Sequence, residues 1–156
     1  MDNINTQGER YLKMSPTIGE LARALCEAQK TMDNAKRDSL NPFFHTNYSS
    51  LASVWEACRP ALVENGLAVS QLCINEGDMV GVETILMHTS GEWISNKLML
   101  KPIKPDPQAQ GSALTYARRY SLSGIVCLAT EADDDGEGAM DRPQEMKKPS
   151  TSKKEI

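Results

Sequence analysis

Hydrophobic positions change period twice along the chain. From Ile18, the residues Leu21, Ala22, Leu25, Ala28 and Met32 follow at steps of mostly three and four, the spacing that lines one face of a helix. Thr17 and Glu20 match a capping box, in which hydroxyl and carboxylate each satisfy a free backbone donor. The pattern predicts an amphipathic helix to about Ala35, with Arg23, Glu27 and Lys30 on its wet side. Asn41-Pro42 breaks structure. A second helical stripe, Leu51, Val54, Trp55, Cys58, Leu62 and Val63, runs over residues 51–65. Pro60 should kink that helix or leave one carbonyl unpaired, and Asn65-Gly66 should end it with glycine in the left-handed cap.

The period then falls towards two. Residues 67–74, 79–88 and 93–100 read as strands separated by Glu76-Gly77-Asp78 and by Thr89-Ser90-Gly91-Glu92, so short turns predict an antiparallel meander. Trp93, Ser95, Lys97 and Met99 should share one face of the third strand. The proline-rich KPIKPDP cannot continue it. Asp106-Pro107 then reads as a helix start, with aspartate as cap and proline at the first helical position. That helix should end near Ser123-Gly124, and the apolar IVCLA after it is either its continuation or a buried return. The expected fold is α+β, a three-stranded antiparallel β-meander packed with helices. Residues 1–14 are expected to be a flexible arm and 15–137 one folded domain. Residues 138–156 hold almost no apolar side chains and are expected to be a disordered tail.

Composition narrows the function classes. At 156 residues with 40% hydrophobic content the chain suits one domain plus tails. No apolar run nears membrane-spanning length, and the N-terminus lacks a signal-peptide core. Cys26, Cys58, Cys73 and Cys127 are dispersed in apolar contexts, which suits reduced core thiols and a cytosolic compartment. With His45 and His88 far apart, a zinc site is not indicated. There is no G-x-x-x-x-G-K-S/T phosphate loop, no G-x-S-x-G elbow and no H-E-x-x-H pair, so ATP hydrolysis and the common hydrolase mechanisms have no carrier. The weak catalytic candidate is Asp133-Asp134-Asp135, whose carboxylates suit Mg²⁺. A consecutive run is a poor match to the rigidly separated ligands of a two-metal nuclease, and a solvated acidic segment or an intersubunit contact is the competing reading.

Charge changes the picture most. The chain carries net −4, yet residues 97–119 hold Lys97, Lys101, Lys104, Arg118 and Arg119 against the single acid Asp106. A basic stretch in an acidic chain points to an anionic partner at that place. On the helix after Pro107, Gly111, Thr115 and Arg118 share one face, flanked by Ser112 and Arg119, while Ala113, Tyr116, Ala117 and Tyr120 lie largely opposite. Small residues, hydroxyls and guanidinium groups suit a phosphate backbone. The same pattern is also met by an amphipathic helix whose arginines lie in solvent or pair with acids. Phe43, Phe44 and Tyr48 gather in one loop, where they can stack bases or anchor the loop to the core or to a second subunit.

Taken together, NPFFHTNYSSLASVWEACRPALVENGLAVSQ, then VETILMHTSGEWISNKLML, then DPQAQGSALTYARRYSLSGIVCLATEADDDGEG resembles the essential recombination function (ERF) family of phage and prophage single-strand annealing proteins, over residues 17–137. The resemblance implies ATP-independent binding and annealing of single-stranded DNA by a homo-oligomeric ring or filament, with no catalytic centre and no required cofactor. It implies a duplex annealing intermediate, an exonuclease and a single-strand binding protein as further partners, and the bacterial host cytoplasm as the setting. By position it assigns the DNA groove to Arg118 and Arg119 with Lys97 and Lys101 on the neighbouring strand. Family members often carry lysines before the tyrosine, where this chain has His45-Thr46-Asn47, so no phosphate contact from that loop is implied here. The alternatives are passive coating of single strands without annealing, Mg²⁺-dependent cleavage at Asp133–Asp135, and a structural oligomer without a DNA role.

Overall fold

The computed structural model describes residues 12–40 and 47–130. Its elements in chain order are β1 (Leu12–Met14), α1 (Gly19–Thr31), β2 (Ser39–Leu40), β3 (Asn47–Tyr48), α2 (Leu51–Glu64), β4 (Leu67–Glu76), β5 (Met79–His88), β6 (Trp93–Leu100) and α3 (Pro107–Val126). The class is α+β, as expected, but the sheet has four strands, in the order β1-β6-β5-β4. The added strand comes from the end of the expected arm: Leu12 to Met14 pair antiparallel with Asn96 to Ile94. Three residues carry no readable period, so only the free edge of β6 defines this strand. A second ribbon joins β2 to β3.

Strands β5 and β6 take the boundaries that alternation predicted, and β4 runs two residues further, to Glu76. Register divides the sheet into two faces. Val69, Leu86 and Ile94 are cross-strand neighbours and belong to the core with Leu21 and Ala28 of α1, Val54, Cys58 and Leu62 of α2, and Leu122 and Val126 of α3. All three helices therefore cover one face. The other carries Leu72, Glu83, Ile85, Met87, Trp93, Ser95, Lys97 and Met99, and no described helix covers it. Burying aliphatic side chains such as Leu62 and Leu86, 1% and 0% exposed, stabilises the fold by roughly 2 kcal/mol each.

Helix ends show where local signals were overridden. The Thr17–Glu20 capping box does not form: α1 starts at Gly19 without a side-chain cap. Glu20 instead pairs with Arg23, and the free N–H of Leu21 donates to Glu92 Oε2, 2.8 Å away, from the β5–β6 turn. That hydrogen bond holds the Glu92 carboxyl below the usual range. The helix ends at Thr31, short of Ala35, because Met32 turns extended before the turn-prone Asp33-Asn34. Gly66 closes α2 at φ +68°, as the Asn-Gly signal required, and Pro60 is accommodated inside the helix. Ile125 and Val126 continue α3 past Gly124. It stops at Cys127, left-handed at φ 63°, with Leu128 N–H on the Ser123 carbonyl.

The thiols depart from expectation. Cys58 alone is in the core, where burial pushes it up to about 11; Cys26, Cys73 and Cys127 are exposed. Phe43 and Phe44, the candidates for base stacking or anchoring, the candidate metal ligands Asp133, Asp134 and Asp135, and the expected disordered tail of residues 138–156 lie outside the described residues.

Candidate nucleic-acid interface

The site is built on α3, which lies across β5 and β6. Asp106 accepts from Ala109 N–H at 2.8 Å and Pro107 occupies the first turn, so the start read from sequence is the start observed. Gly111, Ser112, Thr115 and Arg118 are exposed. Thr115 Oγ1 donates to the Gly111 carbonyl, which ties its hydroxyl to the helix backbone. Arg118 is held from the sheet: its Nε donates to Gln71 Oε1 at 3.3 Å. Gln71 Nε2 in turn donates to the Arg118 carbonyl at 2.9 Å and to Thr84 Oγ1 at 3.0 Å. One nitrogen is used in positioning, and no hydrogen bond among the described residues takes the terminal guanidinium nitrogens, whose planar geometry suits a phosphate.

Arg119 has a different environment. The helical wheel grouped it with the polar face, but it is 8% exposed. Its guanidinium carbon lies 4.2 Å from the ring centre of Tyr48, 4.8 Å from Tyr120 and 5.5 Å from Tyr116. Its Nη1 donates to the Ser49 carbonyl at 3.2 Å. A planar cation among three aromatic rings gains cation–π attraction and packs like a flat apolar group. Arg119 is thus a pillar between β3 and α3, and the two adjacent arginines are not equivalent. Tyr116, expected to pack opposite, is instead 47% exposed.

Three open clefts follow one another along α3. The first, about 510 Å³, is lined by Trp55, Val69, Gln71 and Arg118. The second, about 620 Å³, shares Leu51 with it and adds Tyr48, Gly111, Thr115 and Arg119. A third, about 740 Å³, shares Gln108, Ser112 and Tyr116 with the second and reaches Lys101 and Lys104. Each has the volume of a small-molecule site, and shared walls join them into one trough. Cations stand at both ends and beside its middle. From Gln108 to Leu122 the helix spans roughly 21 Å at 1.5 Å per residue.

The lysines divide between the two sides of the sheet. Lys104 is exposed in the trough. Lys101, also there, pairs with Asp78 at 2.6 Å, both side chains being more than two-thirds exposed. The hydrogen bond and then the opposite charge lift Lys101 and lower Asp78. So exposed a pair exchanges readily with solvent ions. Lys97 is not brought to α3. It is the cross-strand neighbour of Glu83, whose carboxylate accepts from Ser95 on the outer face, and it pairs with Glu76. Period two predicted that Lys97 shares a face with Trp93 and Ser95; nothing local showed that the helices cover the other face. Gln71, Trp55 and Tyr116 were not legible as site residues, because each reads as strand or helix packing until α3 is laid on the sheet.

No group of histidine, cysteine and acidic side chains among the described residues could hold a metal ion, and no described helix is long and apolar enough to cross a membrane. No curated protein and no solved structure matches the chain. A family model does, over residues 21–156, and its description is ERF superfamily.

Proposed function

The chain belongs to the ERF superfamily, and from that premise we propose that it is a recombination protein that binds single-stranded DNA and anneals complementary strands. It works without ATP and without a catalytic centre, as a homo-oligomer. The observation that carries this reading is the trough along α3, with Arg118 at one end and Lys101 and Lys104 at the other. Annealing needs the phosphates held and the base edges free. Arginine and lysine neutralise backbone charge that would otherwise keep two strands apart, and exposed Gly111 and Ser112 let a sugar-phosphate chain come close.

One copy offers few cations, and its net charge is −4, so a monomer is expected to hold DNA weakly. Repetition of the trough in an oligomer supplies the affinity by multivalency. An exonuclease that exposes single strands and a single-strand binding protein that keeps them open are the reaction partners such a protein needs, in the cytoplasm of a phage host. Mixing labelled complementary oligonucleotides without nucleotide or metal tests the reading. Faster pairing with protein than without is expected; binding of both strands with no gain in pairing rate identifies a passive coat instead. Strand cleavage on adding Mg²⁺ would point to Asp133–Asp135.

A further inference from the structure

We propose that Tyr116 is a stacking platform for one nucleobase of the bound single strand, and that Arg119 and Tyr120 hold it in place. The inference deepens the reading above and rests on it. It begins with an aromatic side chain that burial does not explain. Tyr116 is 47% exposed in a chain with only 5% aromatic residues. It is nonetheless rigidly backed: its ring lies 4.2 Å from that of Tyr120 at a tilt of 32°, and the Arg119 guanidinium sits 5.5 Å from its centre. At that separation and tilt Tyr120 covers one face of the ring, so at most one face remains for a ligand. A helical side chain leans over the turn before it. Here that turn supplies Ser112 and Ala113, both too small to cover the ring.

Place decides the ligand class. Tyr116 is a shared wall of the second and third clefts, between Arg118 and the Lys101–Lys104 end. A polyanion laid along the trough must pass it. Every nucleobase has a π-face, so stacking adds affinity without reading sequence. A platform already held by Tyr120 and Arg119 loses little freedom on binding. One open face per copy means that one base is stacked while its neighbours stay available for pairing.

The test compares an oligo(dT) with an oligonucleotide of the same length made of abasic residues. Tyr116→Ala in the full chain is expected to weaken oligo(dT) binding about tenfold and to leave the abasic strand unchanged. Tyr116→Phe, which keeps the ring, should bind both as wild type does. Tyr116→Leu keeps apolar bulk against Tyr120 without a flat face, and replaces the alanine variant if that one melts early. Photocrosslinking of 5-iododeoxyuridine DNA to the wild-type protein should label Tyr116. Equal weakening of both strands by Tyr116→Ala, or a crosslink absent from Tyr116, overturns the platform. If Arg118→Ala weakens binding while Tyr116→Leu does nothing, stacking is wrong and the trough stands. If neither matters, the DNA lies elsewhere, and both the platform and the trough as the DNA site are wrong.

Discussion

At the scale of single residues, the largest departures from the sequence pattern involve charged groups whose partners are distant in sequence. Asp38 accepts from Ser50 N–H and Ser50 Oγ at 2.9 Å and from Ser53 Oγ at 2.6 Å. A carboxylate from the preceding loop thus sits on the N-terminus of α2, where backbone donors and the helix dipole favour a negative charge. These hydrogen bonds, Ser53 first, hold Asp38 far below the ordinary aspartate range. The folded value is depressed, so its stabilisation is complete above the ordinary range and disappears as pH falls through the folded value. Asp38→Asn should lower the melting temperature by about 3–6 °C at neutral pH. The gap between variant and wild type should shrink steadily in acid; a gap that stays constant or widens there would contradict the assignment. No local motif joins Asp38 to residues twelve and fifteen positions on, which is why this cap was invisible beforehand. Arg119 was hidden for a similar reason, since Tyr48 reaches it from another element. Arg119→Lys keeps the charge but loses the flat stacking surface, and should cost about 2 kcal/mol in denaturant unfolding.

At the scale of elements, alternation and turn chemistry were enough to place β5, β6 and the start of α3, because each depends on neighbours within a few residues. Gly66 and Gly77 stand at positive φ at the ends of α2 and β4, as their turns demanded. Gly81 is a different case. It lies inside β5 with an ordinary backbone, opposite Met99. A Cβ there would collide with the Leu98 carbonyl and stand 2.6 Å from Met99 Sδ. The glycine allows β6 and its Met99 side chain to close over the strand. Gly81→Ala is expected to destabilise the protein by about 3 kcal/mol, read as a lower urea midpoint. Gly111→Ala, whose added Cβ meets nothing within 4 Å, should be neutral or slightly stabilising. A single sequence shows both only as glycine inside a regular element, and the distinction appears once strands and helix are assembled.

At the scale of the whole molecule, stacking three helices on one face of the sheet gives the chain two dissimilar sides. The helix side carries the trough, Arg118 and the two exposed lysines. The sheet side carries Lys97, tied to Glu76 and facing Glu83 across the strands. The basic stretch was legible as a local excess of charge in an acidic chain. Its division between the sides was not, since period two separates faces without saying which one the helices take. That division gives the most direct test of the account. The affinity of the oligomer for oligo(dT) should be measured across a range of salt for three proteins: wild type, the triple variant Lys101→Ala, Lys104→Ala, Arg118→Ala, and the single variant Lys97→Ala. Three lost phosphate contacts should reduce the slope of log affinity against log salt by about 2, while Lys97→Ala leaves the slope as it is. A slope unmoved by the triple change would contradict the trough, and one that falls with Lys97→Ala would place the DNA on the sheet side.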